Sequence, residues 1–420
     1  MPNTVIPEVM MSPCPFADLS DPELHRGGVP ADLYRALRAA RSVRIDEPMN
    51  GGQGFRAFFR QEDIDFISKR PGQFSSAVGS AFINDPPAEQ LPLLRTMILN
   101  MDPPEHLKYR RIVRNAFTPA KVDSYEASFR AVVREAVDAA AAKGRCEFVT
   151  EIGCVLPLMA ICEILGVPVT DRSRFFDWTN TMLGADDPEL TTSATDGQMA
   201  AIELYMYADK VMALHRENPC DDIVGALLRG TVEGEHLTED EFRSFMLILI
   251  VAGNETTRTM TSQGMRLLME HPEQFQALCE DPGLIPDAVE EILRFNPAVI
   301  NFRRTVTEPV ELAGERLEPG EKVVMFYQAA SRDEAVFEQP DRFDIRRPAR
   351  EDVRNQHRAF GIGEHFCLGS HLARLELRIV FEEIARQIRN PRLDGEISWL
   401  RSNFIHGIKE MPIAFEVVAS

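Results

Sequence analysis

Cysteine is sparse in this 420-residue sequence, basic residues are outnumbered by acidic ones, and no apolar run is long. The seven cysteines, Cys14, Cys146, Cys154, Cys162, Cys220, Cys279 and Cys367, are scattered and include no Cys-x-x-Cys pair. That odd, dispersed set argues against a disulfide framework and against a zinc module of paired ligands, and it fits a reducing, cytoplasmic compartment. Lys plus Arg number 46 against 65 Asp plus Glu, a formal net charge of -19. Such a field repels a phosphate backbone, so nucleic acid is not an expected partner. The longest strongly apolar stretch, residues 245–253, falls well short of the roughly 20 residues needed to span a bilayer. The first 15 residues carry an acid, Glu8, and prolines where a secretory signal needs a basic start and an apolar run. Neither a membrane span nor a leader is expected.

What is present is an ordinary globular composition, 44% apolar and 26% charged. Length alone would permit two or three domains. No repeat, low-complexity tract or linker divides the chain, so residues 1–420 read as one domain, mainly α with a small β region. Residues 43–45 and 54–59 read as strands, and the valine-rich stretch 303–324, punctuated by Gly314 and Pro319-Gly320, as short strands and hairpins. Phe129, Val132, Val133, Ala136 and Val137 recur at helical spacing. Thr238 and Glu241 have capping-box spacing, and a helical pattern then runs without proline to Pro272, about 30 residues. Its centre, residues 246–252, is apolar all round, which places this helix inside the molecule. A further helix is expected from about Leu368 to Arg389.

The run Phe360-Gly361-Ile362-Gly363-Glu364-His365-Phe366-Cys367-Leu368-Gly369 sets glycines on both sides of a cysteine that precedes a helix. Glycines let backbone bend and approach a flat ligand, and a helix start offers free N–H groups and a positive dipole end to a thiolate. Such surroundings suit a metal ligand. A lone cysteine is more often a small buried hydrophobe, and a zinc site using His365 would lack a second ligand pair.

The run resembles the haem-binding signature of the cytochrome P450 family, Phe-Gly-x-Gly-x-His-x-Cys-x-Gly, at every fixed position. The resemblance implies the cytochrome P450 fold with a long central helix over haem b, Cys367 as the iron ligand and His365 as a propionate partner. It places Phe360 and Gly369 against the cofactor. A thiolate ligand pushes electron density onto iron and favours O–O cleavage.

Other segments resemble the family's marks in the same order along the chain. Glu291 and Arg294, three apart on a helix, would be an ordinary surface pair by themselves. With Arg342 in Pro340-Asp341-Arg342-Phe343 they resemble the family's structural Glu-Arg-Arg network. Ala252-Gly253-Asn254-Glu255-Thr256-Thr257 interrupts an apolar helix with polar groups, costly unless hydrogen-bonded. It resembles the oxygen-activation motif, in which Ala252 and Gly253 lie over the haem and Glu255 and Thr256 form an acid–alcohol pair that hands protons to bound dioxygen. A satisfied core histidine and a surface arginine are the plain alternative for His106 and Arg110, which share a helix face. By resemblance both bind haem propionates, as does Arg304. Strand alternation lets only one of Arg303 and Arg304 face the haem, and the family's register selects Arg304.

The resemblance implies a monooxygenase that hydroxylates a small hydrophobic substrate, a terpenoid, steroid or alkyl-aromatic compound. Two electrons would come from NAD(P)H through a ferredoxin reductase and an iron-sulfur ferredoxin. A haem-thiolate isomerase or peroxygenase, or a non-catalytic haem sensor, is the alternative. By analogy the pocket is walled by Ile83, Leu183, Leu249, Ala252, Val299, Phe302 and Phe404, nearly all apolar, which favours recognition by shape over charge. Lys108, Arg111 and Arg114 make a basic ridge suited to an acidic ferredoxin. A monomer is expected.

Overall fold

The computed structural model describes residues 18–49, 51–193 and 195–418. The amino-terminal stretch read against a leader, with Cys14, lies outside the described residues. Eight helices carry the argument: α1 (Glu105–Val113), α2 (Glu126–Ala141), α3 (Val155–Leu165), α4 (Arg172–Leu183), α5 (Asp196–Glu217), α6 (Glu239–Glu270), α7 (Ile285–Phe295) and α8 (Ser370–Gln387). The strands are β1 (Ser42–Ile45), β2 (Phe55–Phe58), β3 (Phe74–Ser75), β4 (Arg145–Glu147), β5 (Asn301–Val306), β6 (Lys322–Phe326), β7 (Ile388–Leu393) and β8 (Pro412–Val417).

Helix α6 starts where the capping box places it. The Thr238 hydroxyl oxygen accepts the Glu241 N–H at 3.3 Å, and a Glu241 carboxylate oxygen accepts the Thr238 N–H at 2.7 Å. It ends one residue before His271 and Pro272, unbroken through the Ala252–Thr257 polar run. It packs against α3, α4, α5, α7 and α8, and that enclosure is why a helix lacking a polar face is stable there. The approach is closest at Gly264, where a Cβ would lie 2.6 Å from Phe381 of α8 and 3.0 Å from Ile292 of α7.

Strands β1, β2, β6, β5 and β3 form one sheet in that order, with β6 parallel to β2 and antiparallel to β5. Alternation splits its apolar residues between two clusters. Phe55, Ala57, Val324 and Phe326 join Tyr34 and Ile300 on one side, while Phe58, Val323 and Met325 join Ile64 and Phe74 on the other. Strands β7, β8 and β4 form a second antiparallel sheet. Among the described residues no helix is long and apolar enough to cross a membrane.

Candidate active site

The cysteine loop is shaped by backbone that only glycine adopts easily. Gly361 has φ +69° and Gly363 φ +77°, and a Cβ on Gly363 would lie 2.6 Å from the Ser68 carbonyl oxygen. The loop closes when the Cys367 N–H donates to the Phe360 carbonyl at 2.9 Å. Helix α8 then begins with Gly369 as its cap. Burial pushes the Cys367 thiol up, against the Gly369 N–H and the Arg110 and Arg374 guanidiniums, which favour the thiolate. A sulfur so placed is ionised by a cation bound directly to it, as in a metal thiolate.

Four cationic or potentially cationic groups meet beside this loop. The His106 and His365 rings lie 4.1 Å apart. Arg304 is buried and donates to the carbonyl of its neighbour Arg303 at 2.6 Å, and Arg110 donates to the Phe366 carbonyl at 2.6 Å. None of the four forms an ion pair among the described residues, and the buried His106 Nδ1 has no hydrogen-bond partner. Asp102 is near, but its oxygens accept from the Ser75 hydroxyl and the Ser76 N–H. Burial, then Arg110 and Arg304, hold His106 down at about 4. Burial, then Arg304, His106 and Arg110, hold His365 at about 2. Two buried and two half-buried groups of this kind, with the one nearby acid committed to Ser75 and Ser76, are complementary to carboxylates from outside the chain, and the two propionates of haem b fit them.

Alternation along β5 separates the two arginines. Arg303 turns to Asp85 at 2.5 Å, an acid that also receives Lys322 at 2.8 Å, whereas Arg304 faces the histidine pair.

On α6, Ala252 is exposed although the middle of the helix is otherwise enclosed, and Leu249, Gly253 and Thr256 are half-buried along the same stretch. The Thr256 hydroxyl donates to the Ala252 carbonyl at 2.7 Å. Glu255, one residue earlier, points elsewhere, because adjacent helix residues do not share a face. It is buried, paired with Arg258, and accepts the Thr259 hydroxyl at 3.3 Å, while Arg258 also donates to Asn180 of α4 at 2.8 Å. The neighbouring Asn254 is fully buried with neither amide atom hydrogen-bonded.

Phe302 and Phe404 pack edge to face with centroids 5.4 Å apart. Their third partner is Phe82, 5.0 Å from Phe404 and 6.5 Å from Phe302. The expectation for Ile83 is corrected. Ile83 is buried in the cluster of Tyr34, Phe55, Ile300 and Val324, on the far side of the segment from Phe82. Ala81 accepts the Arg303 N–H at 2.8 Å, so this segment runs beside β5, where a one-residue step exchanges faces. Leu183 closes α4 half-buried, and Val299, also half-buried, bridges to Ile405.

The Glu-Arg-Arg network also needs a correction. Glu291 binds Arg294 through two bonds of 2.7 and 2.9 Å, and the second arginine is Arg347, 3.2 Å from Glu291, not Arg342. Arg342 has an exposed side chain and contributes its carbonyl, which accepts from Arg347 at 2.9 Å. Arg342, Arg346, Arg347 and Arg350 crowd this stretch, and no spacing rule separates them. No motif in the sequence marks His357 and Arg374, which flank the Phe360 ring, or Glu290, which binds them both.

Comparison with known proteins identifies the class. A model of the family "Cytochrome P450" matches residues 283–389. The steroid C26-monooxygenase of Rhodococcus jostii (strain RHA1) is 36% identical over 411 residues, covering 96% of this chain and 85% of that protein. The chain belongs to the cytochrome P450 family. It is a cytochrome P450 monooxygenase, with cysteine-ligated haem b as cofactor and dioxygen as co-substrate. The methyl-branched lipid omega-hydroxylase of Mycobacterium bovis (strain ATCC BAA-935 / AF2122/97) is likewise 36% identical, covering 99% of this chain and 96% of that protein. Among solved structures, Mycobacterium marinum cytochrome P450 CYP268A2 in complex with pseudoionone matches at TM-score 0.88 and 32% identity, covering 96% of this chain and 99% of that one.

Proposed function

We propose that this P450, one domain over residues 1–420, hydroxylates an alkyl carbon of a steroid or methyl-branched lipid, with Cys367 as the thiolate ligand of its haem. The observation that carries the reading is the cluster of His106, Arg110, Arg304 and His365 beside Cys367, which forms no ion pair among the described residues. These groups would bind the propionates and fix the cofactor's orientation, while Phe360, Gly369, Ala252 and Gly253 leave room for its plane. The haem supplies oxygen activation and C–H oxidation when bound.

The chain's own residues bind substrate and manage protons. Phe82, Phe302, Phe404, Val299, Leu249 and Leu183 offer apolar and aromatic surface without an ion among them, which orients an alkyl chain by shape and excludes water. Similarity to a steroid C26-monooxygenase and a lipid omega-hydroxylase favours a substrate oxidised at a chain end. Thr256 spends its proton on the Ala252 carbonyl, which leaves its oxygen free to accept a hydrogen bond from water or substrate. Glu255, on another face of α6, is clasped by Arg258 and would pass protons toward Thr256 only through water after release from that pair.

Electrons would come from NAD(P)H through a reductase and a ferredoxin. Arg111 on α1 and Arg114, the residue that caps its C-terminus, are exposed without ion pairs among the described residues, and Arg110, next to Arg111, reaches the cysteine loop. Lys108 is neutralised by Glu105 and Glu233, so the docking ridge reduces to the two arginines. A monomer in the cytoplasm fits this reading.

The reduced, carbon-monoxide-bound spectrum tests it. Wild type should give a thiolate-type band and convert a steroid or methyl-branched lipid to a hydroxylated product. Cys367→His should lose both, and an unaltered band in that variant overturns the assignment.

A further inference from the structure

The adjacent carboxylates of α7 serve different parts of the molecule. Glu291 binds Arg294 and Arg347, whereas Glu290 turns to α8, where Arg374 holds it by Nε at 2.6 Å and Nη2 at 3.0 Å. His357 Nε2 lies 3.1 Å from the same carboxylate. Its Nδ1 accepts the Ala359 N–H at 3.2 Å, so the proton sits on Nε2 and is donated to Glu290. Arg354 stands 3.6 Å away on the surface side. Burial pushes Glu290 up, yet His357 and Arg374 together hold it at about 2, so it is a carboxylate throughout the working range.

Phe360 joins this cluster to the cysteine. The Arg374 guanidinium lies 4.6 Å from the centre of the Phe360 ring, and the His357 ring centre is 5.8 Å from it. The carbonyl of Phe360 is the acceptor of the Cys367 N–H. Arg374 also donates to the Ser370 carbonyl at 3.4 Å, and the Ser370 N–H donates to the Cys367 carbonyl at 3.4 Å, which sets a full charge beside the cysteine loop, with Glu290 as the anion that offsets it.

We propose that Glu290, acting through Arg374 and His357, is a positioning residue that sets how much positive charge the Cys367 sulfur experiences, and through it the reduction potential of the haem iron. Groups around a ligating sulfur tune a metal by charge and hydrogen bonding. The inference rests on Cys367 being the haem ligand. Removing the carboxylate leaves Arg374 uncompensated, weakens electron donation by the sulfur and favours the reduced iron. Removing Arg374 leaves Glu290 with only His357 and the exposed Arg354 and acts the other way.

Potentiometric titration of the haem-loaded wild type, Glu290→Gln, Glu290→Asp and Arg374→Gln, each with its carbonyl spectrum, tests the proposal. The midpoint should rise in Glu290→Gln, stay at the wild-type value in Glu290→Asp and fall in Arg374→Gln, with the thiolate-type band kept. Shifts of equal sign in Glu290→Gln and Arg374→Gln, as general loosening would produce, overturn it, and so do unchanged potentials. Should Glu290→Gln fail to retain haem, the direction of the Arg374→Gln shift decides alone. A wild type without the thiolate-type band would instead remove the ligand assignment, a separate failure.

Discussion

Arg347 and Arg342 lie five residues apart and differ in what their side chains do. Glu291 is fully buried, and Arg347, 2% exposed, supplies it with a charge-assisted bond while also donating to the Glu338, Gln339 and Arg342 carbonyls. Arg347→Ala should therefore cost about 3–5 kcal/mol, the penalty of stranding part of a buried ion network. Arg342→Ala, at an exposed site, should stay within about 0.5 kcal/mol of wild type. Denaturant midpoints of the two variants check the pair, and equal losses would restore Arg342 to the network. Thr256 carries the other residue-scale expectation. Thr256→Ala removes the half-buried hydroxyl of the proposed proton relay, so with electrons supplied by the proposed NAD(P)H route, NAD(P)H oxidation should continue while product per electron pair falls about tenfold or more. Simultaneous measurement of cofactor consumption and product checks it.

At the scale of elements, the central helix was largely legible beforehand. The Thr238–Glu241 box and Pro272 are local signals, and the helix runs between them. The strands at residues 42–45 and 55–58 and the helix after Cys367, from Ser370 to Gln387, also fall close to their expected places, because alternation and glycine punctuation are read from neighbours in sequence. What these signals do not carry is how near the elements come to each other. Gly264 shows this, since only the packing of α7 and α8 reveals that a methyl group there meets Phe381 and Ile292. Gly264→Ala should cost about 1–3 kcal/mol by overpacking. Gly253→Ala, whose Cβ would find Ile161 at an ordinary 3.4 Å, should be tolerated. Thermal melting of both variants checks the contrast.

The molecule as a whole should be acid-sensitive in a defined way. Glu290 is held at about 2 against an ordinary 4.5, so its stabilisation is complete above the ordinary carboxylate range and is lost as pH falls toward 2, roughly 3 kcal/mol in all. His106 acts in the same direction at higher pH. Its folded value of about 4 lies below the ordinary 6.5, so the unfolded chain takes up a proton first and stability falls as pH drops from 6.5 to 4. Haem propionates facing His106 would favour its charged form and offset that loss. Melting temperatures at pH 6.5, 5 and 4 should therefore decline more steeply for haem-free than for haem-loaded protein, and parallel declines would count against propionate binding at His106.

The sequence alone determined the class of chemistry. A cysteine between glycines at a helix start, two cationic segments and an acid–alcohol pair in a long apolar helix are local patterns, each set by backbone conformation or helical spacing, and their order matched one family. Tertiary structure decided which side chains complete the site. Arg347 displaces Arg342, Phe82 displaces Ile83, Arg258 occupies Glu255, and Glu290 finds Arg374 and His357 beneath the cysteine loop. Those choices depend on contacts across tens of residues and on which face of a strand or helix meets its neighbour, and packing settles both.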